Sequence, residues 1–395
     1  MQFSGTLESL LSALGTSAAG HAVFSRHGVP LLLLPKDKAI ALATIGLYRP
    51  QSAKAKTAAT AMRTLCRMGL HGTLLPKVPG KSDGTGVLIC NPCHGTRVIA
   101  VRRGVDGRLE ILKAALRENA EAIRREHAVL ERLNGLNHER HETHETISTS
   151  NHSRMDANME AMGRPGVPMV GPLVESGGAV WFSMPFLCDA PSGVDPVPLL
   201  KAWETEEIEP AEDNGLIRDL LPLLDEQTRT ALAGRTVRRA LVHGDFAPWN
   251  WRLAPDENHG IHGWGTNHET HKAHETEGSR LVCIDWEWAR EDGFAGFDFV
   301  YSLVQTALLV SRVPKHHIRS FIRRHIAKQR LASESLISNS GLSTDILVTL
   351  VLAYRRMRGM ESEPPKTRSI RDPCSAHDRN HKPHKAHETG ECSHE

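Results

Sequence analysis

Three polar residues stand at spacings that suit phosphoryl transfer. Asp245 and Asn250 lie five positions apart in Ala240-Leu-Val-His-Gly-Asp-Phe-Ala-Pro-Trp-Asn250, which begins as a short apolar strand. Asp285 closes a second apolar strand in Leu281-Val-Cys-Ile-Asp-Trp-Glu287. Moving a phosphoryl group from ATP to an alcohol requires one carboxylate to orient or deprotonate the attacking hydroxyl. It also requires an amide and a second carboxylate to hold Mg2+ against the phosphates. Asp245 fits the first task, and Asn250 with Asp285 fits the second.

The order of these residues, His243-x-Asp245 with Asn250 five further on and then a strand ending in Asp285, resembles the catalytic loop and metal aspartate of kinases. The details resemble one branch, the aminoglycoside phosphotransferase / choline kinase family: His243-Gly-Asp, Pro248-Trp249 before the asparagine, and Asp285-Trp-Glu. The resemblance is specific at these two segments and extends by weaker cues over about residues 85–360. It implies an α+β, bilobal protein-kinase-like fold, with a small antiparallel-sheet N-lobe and a mostly helical C-lobe. It also implies ATP and Mg2+ as cofactors, a small-molecule hydroxyl acceptor, Asp245 as the catalytic base or orienter, and His243 as the residue that shapes the catalytic loop.

Such a site needs a lysine on a strand and a glutamate on the next helix. Arg108-Leu-Glu-Ile-Leu-Lys113 reads as a strand after the turn at Gly104–Gly107. Ala114 to Asn134 reads as a helix, with Leu116, Ala120, Ile123, Leu130 and Leu133 on one face. Glu126 shares that face, where a lone acid is costly unless paired. Lys113 is its expected partner, and the pair would position the ATP phosphates. Arg102 or Arg103 is the alternative clamp.

Other contacts of the nucleotide are expected from the strand-turn-strand Val87–Ala100 and from Ala179–Cys188. In the latter, backbone groups near Met184 and Leu187 would meet adenine at the interlobe hinge. Cys90-Asn-Pro-Cys93 has no second pair to complete a zinc site and reads as two idle thiols. Asp298, ahead of a helix with Phe299, Leu303, Ala307 and Val310 on one side, either braces the catalytic loop or caps that helix. The acidic run Glu204–Asp213 reads as a solvated face, with recognition of a cationic acceptor as the alternative.

A repeat interrupts this plan. Asn137-His-Glu-Arg-His-Glu-Thr-His-Glu-Thr146 recurs at Asn267–Thr276 and at Asn380–Thr389, and the copies hold nine of the 23 His. These stretches are too polar to form a core. They read as insertions over 137–165 and 256–279 and as a tail over 366–395; metal capture by the tracts is the alternative. Excising 256–279 predicts a hairpin, Trp251-Arg-Leu paired with Arg280-Leu-Val-Cys-Ile. Residues 195–365 otherwise read as mostly helical with two short strands. Residues 1–84 are expected to be an extension packed on the N-lobe, with a helix over Ser52–Met68.

The chain of 395 residues is long enough for a two-lobed enzyme. With 48 Lys+Arg against 46 Asp+Glu, it has no basic field that would attract nucleic acid. No apolar run approaches the roughly 18–20 residues of a membrane span, and the N-terminus lacks a secretory pattern. Seven scattered Cys suggest reduced thiols, and hence a cytoplasmic location. Three other readings remain beside the small-molecule kinase: a catalytically silent kinase-like nucleotide-binding protein, a protein kinase, and a protein whose His tracts bind metal. Against the protein kinase, only 13 positions separate Asp285 from Asp298.

Overall fold

A computed structural model of the protein describes residues 5–26, 29–48, 50, 53–90, 97–144, 165–190, 194–255, 279–328 and 332–360. It is a mixed α+β structure, with a seven-stranded antiparallel sheet early in the chain and most helices later. The sheet strands are β1 (Ala22–Arg26), β2 (Val29–Leu34), β3 (Gly86–Cys90), β4 (Arg97–Arg103), β5 (Leu109–Leu116), β6 (Val174–Ser176) and β7 (Ala179–Pro185). Their spatial order is β1-β2-β3-β4-β5-β7-β6. Helices α1 (Gly5–Ala13), α2 (Lys38–Leu47), α3 (Ala53–Arg67) and α4 (His71–Leu74) belong to the N-terminal part, and α5 (Glu121–His144) follows β5.

The β4–β5 hairpin shows why this segment folds as it does. Gly107 turns at φ +78°, and Asp106 Oδ1 accepts the Arg108 N–H at 2.9 Å. These are the turn residues the sequence offered at Gly104–Gly107. Lys113 falls opposite Ile99 on one side and Phe182 on the other, within an interior strand of the sheet.

Two sequence expectations shift here. Residues Ala114 to Leu116 continue β5, paired through Leu116 with Ala179, and the helix starts at Glu121. The ladder to β7 outweighs the helical spacing, although Leu116, Ala120, Ile123, Leu130 and Leu133 are all buried. The boundary at 84/85 also cuts through one sheet: β2 pairs with β3 at Leu32–Leu88 and Leu33–Val87. The extension therefore adds two strands to the sheet as well as packing on it, and α3 occupies the helix expected over Ser52–Met68.

Past the large sheet, Cys188–Asp189 (β8) joins Trp251–Pro255 (β11) and Ser279–Cys283 (β12), while Glu204–Pro210 (β9), Thr236–Val242 (β10) and Arg290–Phe294 (β13) form another three-stranded sheet. Five strands therefore lie among the described residues of 195–365, where two were expected. The acidic run forms the edge strand β9, and it is largely exposed, as a solvated run should be. Glu207 pairs with Arg239 at 3.0 Å and Glu209 accepts from Asn214 at 2.7 Å. The helices are α6 (Val197–Ala202), α7 (Gly215–Leu220), α8 (Glu226–Leu232), α9 (Phe297–Gln305), α10 (Ile318–Lys328), α11 (Ala332–Asn339) and α12 (Thr344–Met357). One apolar cluster packs α5 and β7 against α7, α9 and α12.

The hairpin expected after excision is present: β11 pairs with β12 from Trp251–Cys283 to Pro255–Ser279. Ser279 is thus the first strand residue, not part of an insertion. Residues 256–278, where the second His tract falls, lie outside the described residues, as do 145–164 and the tail from 361. In the first tract, the backbone of α5 runs on to His144, so the helix enters the stretch expected to be an insertion from 137. No helix among the described residues is long and apolar enough to cross a membrane.

Candidate active site

The segment 243–250 leaves β10 and is fixed from beneath. Asp298, in the first turn of α9, accepts the N–H of His243 at 2.6 Å and of Gly244 at 3.1 Å. The Gly296 cap of α9 has no side-chain hydrogen bond, so Asp298 braces the loop instead of capping its own helix. His243 is fully buried. Its Nε2–H donates to Ile284 O at 2.9 Å, and its Nδ1 accepts the Asp245 N–H at 3.2 Å. Those two bonds define a neutral ring, and burial pushes its pKa down to about 4. His243 therefore ties the Asp245 loop to the end of β12 and takes no proton at neutral pH.

Gly244 cannot be replaced cheaply. Its φ is +75°, and a Cβ there would lie 2.5 Å from Trp288 O and 2.6 Å from the Tyr354 hydroxyl. Gly244→Ala should lose about 3 kcal/mol of stability, from left-handed strain plus overpacking against backbone. Urea unfolding checks this; a loss under 1 kcal/mol would mean that the loop has room to move.

Asp245 sits at the mouth of this loop with its side chain 23% exposed. Burial raises its pKa, and Arg358 and Tyr301 pull against that rise. Asn250, 4% exposed, donates its Nδ2–H to Asp245 O at 2.9 Å, which orients the amide.

Across from it, Lys113 Nζ donates to Glu126 Oε1 at 2.7 Å, and the lysine and glutamate side chains are both 6% exposed. Lys113 also bonds Asp285, whose carboxylate is 43% exposed and so open to a ligand. Burial would discharge Lys113, but Asp285 and Glu126 outweigh it and hold the lysine charged, above its usual range. Burial pushes Glu126 up, whereas Lys113 overcomes burial at Asp285 and holds it low. Two acids thus share one cation, leaving net negative charge where a divalent cation would sit.

The Lys113–Glu126 pair was legible in the sequence; two further features of this corner were not. Glu126 Oε1 also accepts the Trp286 N–H at 3.3 Å, so one carboxylate fixes both the lysine and the segment after Asp285. Asp285 itself has φ +66°, a conformation that Asp and Asn tolerate better than other side chains. Trp286 is fully buried against His243, with ring centres 4.6 Å apart, which links the Asp245 and Asp285 segments. The alternative clamps are excluded by their partners: Arg102 bonds Glu110 at 2.6 Å and Arg103 bonds Asp37 at 3.2 Å, both at the surface.

Met184 is buried in β7 opposite Ile111. Leu187, also buried, lies in the short link between β7 and β8, where the chain leaves the large sheet for the β8-β11-β12 sheet. That is the place a hinge would occupy. The turn between β3 and β4, where phosphate contacts were expected, falls in residues 91–96, outside the described residues. Cys66, Cys90 and Cys283 are free thiols. Val310 departs from the expected apolar side of α9: a π-helical turn over Thr306–Val310 leaves it 53% exposed while Ala307 stays buried.

The residues present fit Mg2+ and a nucleotide. Among the described residues, no group of three or more His, Cys, Asp or Glu could hold a metal by itself. Mg2+ does not need one, since it keeps waters and is bound by one or two protein oxygens together with substrate phosphates. Asp285 supplies a hard carboxylate oxygen, the Asn250 amide is held in place through its nitrogen, and Lys113 supplies a fixed cation for phosphate. No protein-family model matches the chain, and no curated protein matches it.

Asp298 carries a pH signature. Burial pushes it up to about 7 against the pull of the two amides. An acid raised in the folded state keeps a proton that the unfolded chain gives up between about pH 4 and pH 7. Its contribution to stability is therefore present at low pH and lost as pH rises through about 7. His243, pushed down to about 4, acts in the opposite sense, losing stability as pH falls from about 6.5. Asp298→Asn removes only the first effect. The stability of the variant relative to the wild type should improve by about 1.4 kcal/mol per pH unit from pH 4 to 7. Urea unfolding at pH 5 and pH 7 reads this; a pH-independent difference would mean that Asp298 is ionised throughout.

Proposed function

We propose that the protein is an ATP- and Mg2+-dependent phosphotransferase acting on a hydroxyl group of a small molecule, on a two-lobed protein-kinase-like fold similar to the aminoglycoside phosphotransferase / choline kinase family. One observation carries the reading. Lys113 from the interior strand β5, Glu126 from the next helix and Asp285, 172 residues from Lys113, meet in one cluster. In addition, Asp285 and the Asp245 loop are joined through His243 and Trp286. A buried lysine shared by two acids is a costly arrangement for stability alone, and it suits the handling of a polyphosphate.

Bound Mg2+ would neutralise charge on the phosphates and bridge them to the protein. Asp285 and Asn250 offer the oxygens for it. Lys113, held by Glu126, orients the phosphate chain. Asp245 accepts the proton of the acceptor hydroxyl as the new O–P bond forms and the bond between the γ-phosphorus and its bridging oxygen breaks, with ADP as the leaving group. Neutral His243 and Asp298 keep the Asp245 loop in place throughout.

Two features speak against a protein kinase: β13 follows Asp285 within a few residues, and α9 begins at Phe297. This leaves no span for a long substrate-binding segment. The test is a screen of ADP formation from Mg·ATP over sugars, amino alcohols, choline-like compounds and aminoglycosides, with and without a chelator. The reading expects at least one acceptor with chelator-sensitive turnover. Nucleotide binding with no turnover over the panel would favour the silent binding protein instead.

A further inference from the structure

The two oxygens of the Asp245 carboxylate have unlike surroundings. Oδ1 accepts the Tyr301 hydroxyl proton at 2.9 Å, and Arg358 Nη1 stands 3.9 Å from the same oxygen. The Asn250 amide also lies beside the carboxylate and favours its ionised form, but Oδ1 is the oxygen that Tyr301 and Arg358 share. Tyr301 comes from α9 and is fully buried. Its hydroxyl oxygen accepts two hydrogen bonds, from Gln305 Nε2 at 2.5 Å and from Arg358 Nη1 at 3.2 Å. With both donors facing its lone pairs, the hydroxyl directs its own proton to Asp245 Oδ1 at 2.9 Å, a charged oxygen and a stronger acceptor than the Met360 sulfur at 3.8 Å. Gln305 is held in turn by Arg355 through its Oε1.

Arg358 is as closely fixed. It follows the last turn of α12 and donates to Gly244 O at 2.7 Å. Its guanidinium lies over the Trp288 ring, 4.1 Å from the centroid, and its side chain is 7% exposed. The end of α12 is thereby fastened to the catalytic loop at two points, the Gly244 carbonyl and the Tyr301–Asp245 bond. None of these residues was marked by the sequence.

We propose that Tyr301 and Arg358 are positioning residues that commit Oδ1 of Asp245 and leave Oδ2 as the oxygen that takes the acceptor proton. The purpose of that proton transfer rests on the phosphotransferase reading; the Tyr301–Asp245–Arg358 contact does not. Several groups face Asp245. Arg358 from α12, Tyr301 from α9 and Asn250 ahead of β11 favour its ionised form, whereas Asp285 after β12 and burial disfavour it. Behind the loop stand His243, which is neutral, and Asp298.

The chain contains only three tyrosines, Tyr48, Tyr301 and Tyr354. The full-length protein labelled with [13Cζ]tyrosine should thus show three ring-carbon resonances, and Tyr301→Phe identifies one. At one neutral pH that resonance should shift in Asp245→Asn, which replaces the charged acceptor of the Tyr301 proton, and in Arg358→Gln, which removes a donor to the Tyr301 oxygen. Arg358→Lys, for use if the first variant folds poorly, should shift it less. A Tyr301 resonance unmoved by Asp245→Asn, or unmoved in both Arg358 variants, would overturn the proposal.

Kinetics supply the second arm. Tyr301→Phe should lower kcat about tenfold or more, the loss expected for one hydrogen bond to a charged group, with KM for Mg·ATP unchanged. An unchanged kcat would remove the positioning role. A coupled Tyr301 resonance in a wild-type chain that transfers no phosphoryl group would instead overturn the phosphotransferase reading, and with it the role given to Oδ2.

Discussion

Asp245→Ala should lower phosphoryl transfer by a factor of about 1,000 or more, equivalent to at least about 4 kcal/mol in the barrier, while Mg·ATP still binds. The separation follows from position. Asp245 touches Tyr301, Asn250 and Arg358 but makes no contact with Lys113 or Glu126, the groups assigned to the phosphates. The loop should keep its place, because it is held through the backbone of His243 and Gly244 and through the His243 ring. Asp245→Asn is the stricter companion, since it keeps the shape and removes only the charge and basicity. Turnover by single-turnover quench and binding by calorimetry check both halves. Full turnover in either variant would remove Asp245 from the chemistry.

Asp285 should behave differently. Asp285→Asn is expected to weaken Mg·ATP binding at least a hundredfold, about 2.7 kcal/mol, as well as to suppress turnover. Asparagine is the right replacement because position 285 has φ +66°. Alanine there would add backbone strain of about 1–2 kcal/mol and confuse the reading. The fold should survive, because Lys113 keeps Glu126 at 2.7 Å and loses only one of two acids. Calorimetric titration of Mg·ATP and urea unfolding measure the two quantities. Unaltered Mg·ATP affinity would mean that Asp285 serves Lys113 alone and holds no cation.

What the sequence could disclose divides along a physical line. Contacts between neighbours in the chain were legible: the Gly104–Gly107 turn, the β11–β12 ladder across residues 256–278, and the Lys113–Glu126 pair, whose members are 13 residues apart. Each follows from a local pattern of apolar period, turn residues or a lone acid on a buried face. Asp298 was legible as one of two possibilities, and only the geometry of the His243 and Gly244 amides separates a brace from a helix cap. The start of α5 was misplaced because residues 114–116 satisfy both periods, and pairing with β7 decided between them. The strand β9 was hidden because a run of acids suggests solvent, yet an edge strand needs a partner on one side only.

Tyr301, Gln305 and Arg358 were not legible at all. Tyr301 lies in an apolar helix, where an aromatic residue reads as core, and Arg358 follows Arg355 and Arg356 at a helix end, where it reads as surface. Their meeting at Asp245 depends on α9 packing against α12 through Phe297, Tyr301 and Tyr354. That is a property of the assembled core and not of any segment.

The central claim is that the protein moves a phosphoryl group from ATP to a hydroxyl oxygen with Asp245 as the base. Following Mg·ATP and the acceptor found in the screen by 31P nuclear magnetic resonance tests it most directly, with the wild type and Asp245→Ala at matched nucleotide occupancy. The account predicts ADP together with a new phosphate-monoester resonance of equal intensity in the wild type, and neither in the variant. Inorganic phosphate as the sole product, or the same monoester from Asp245→Ala, would contradict it.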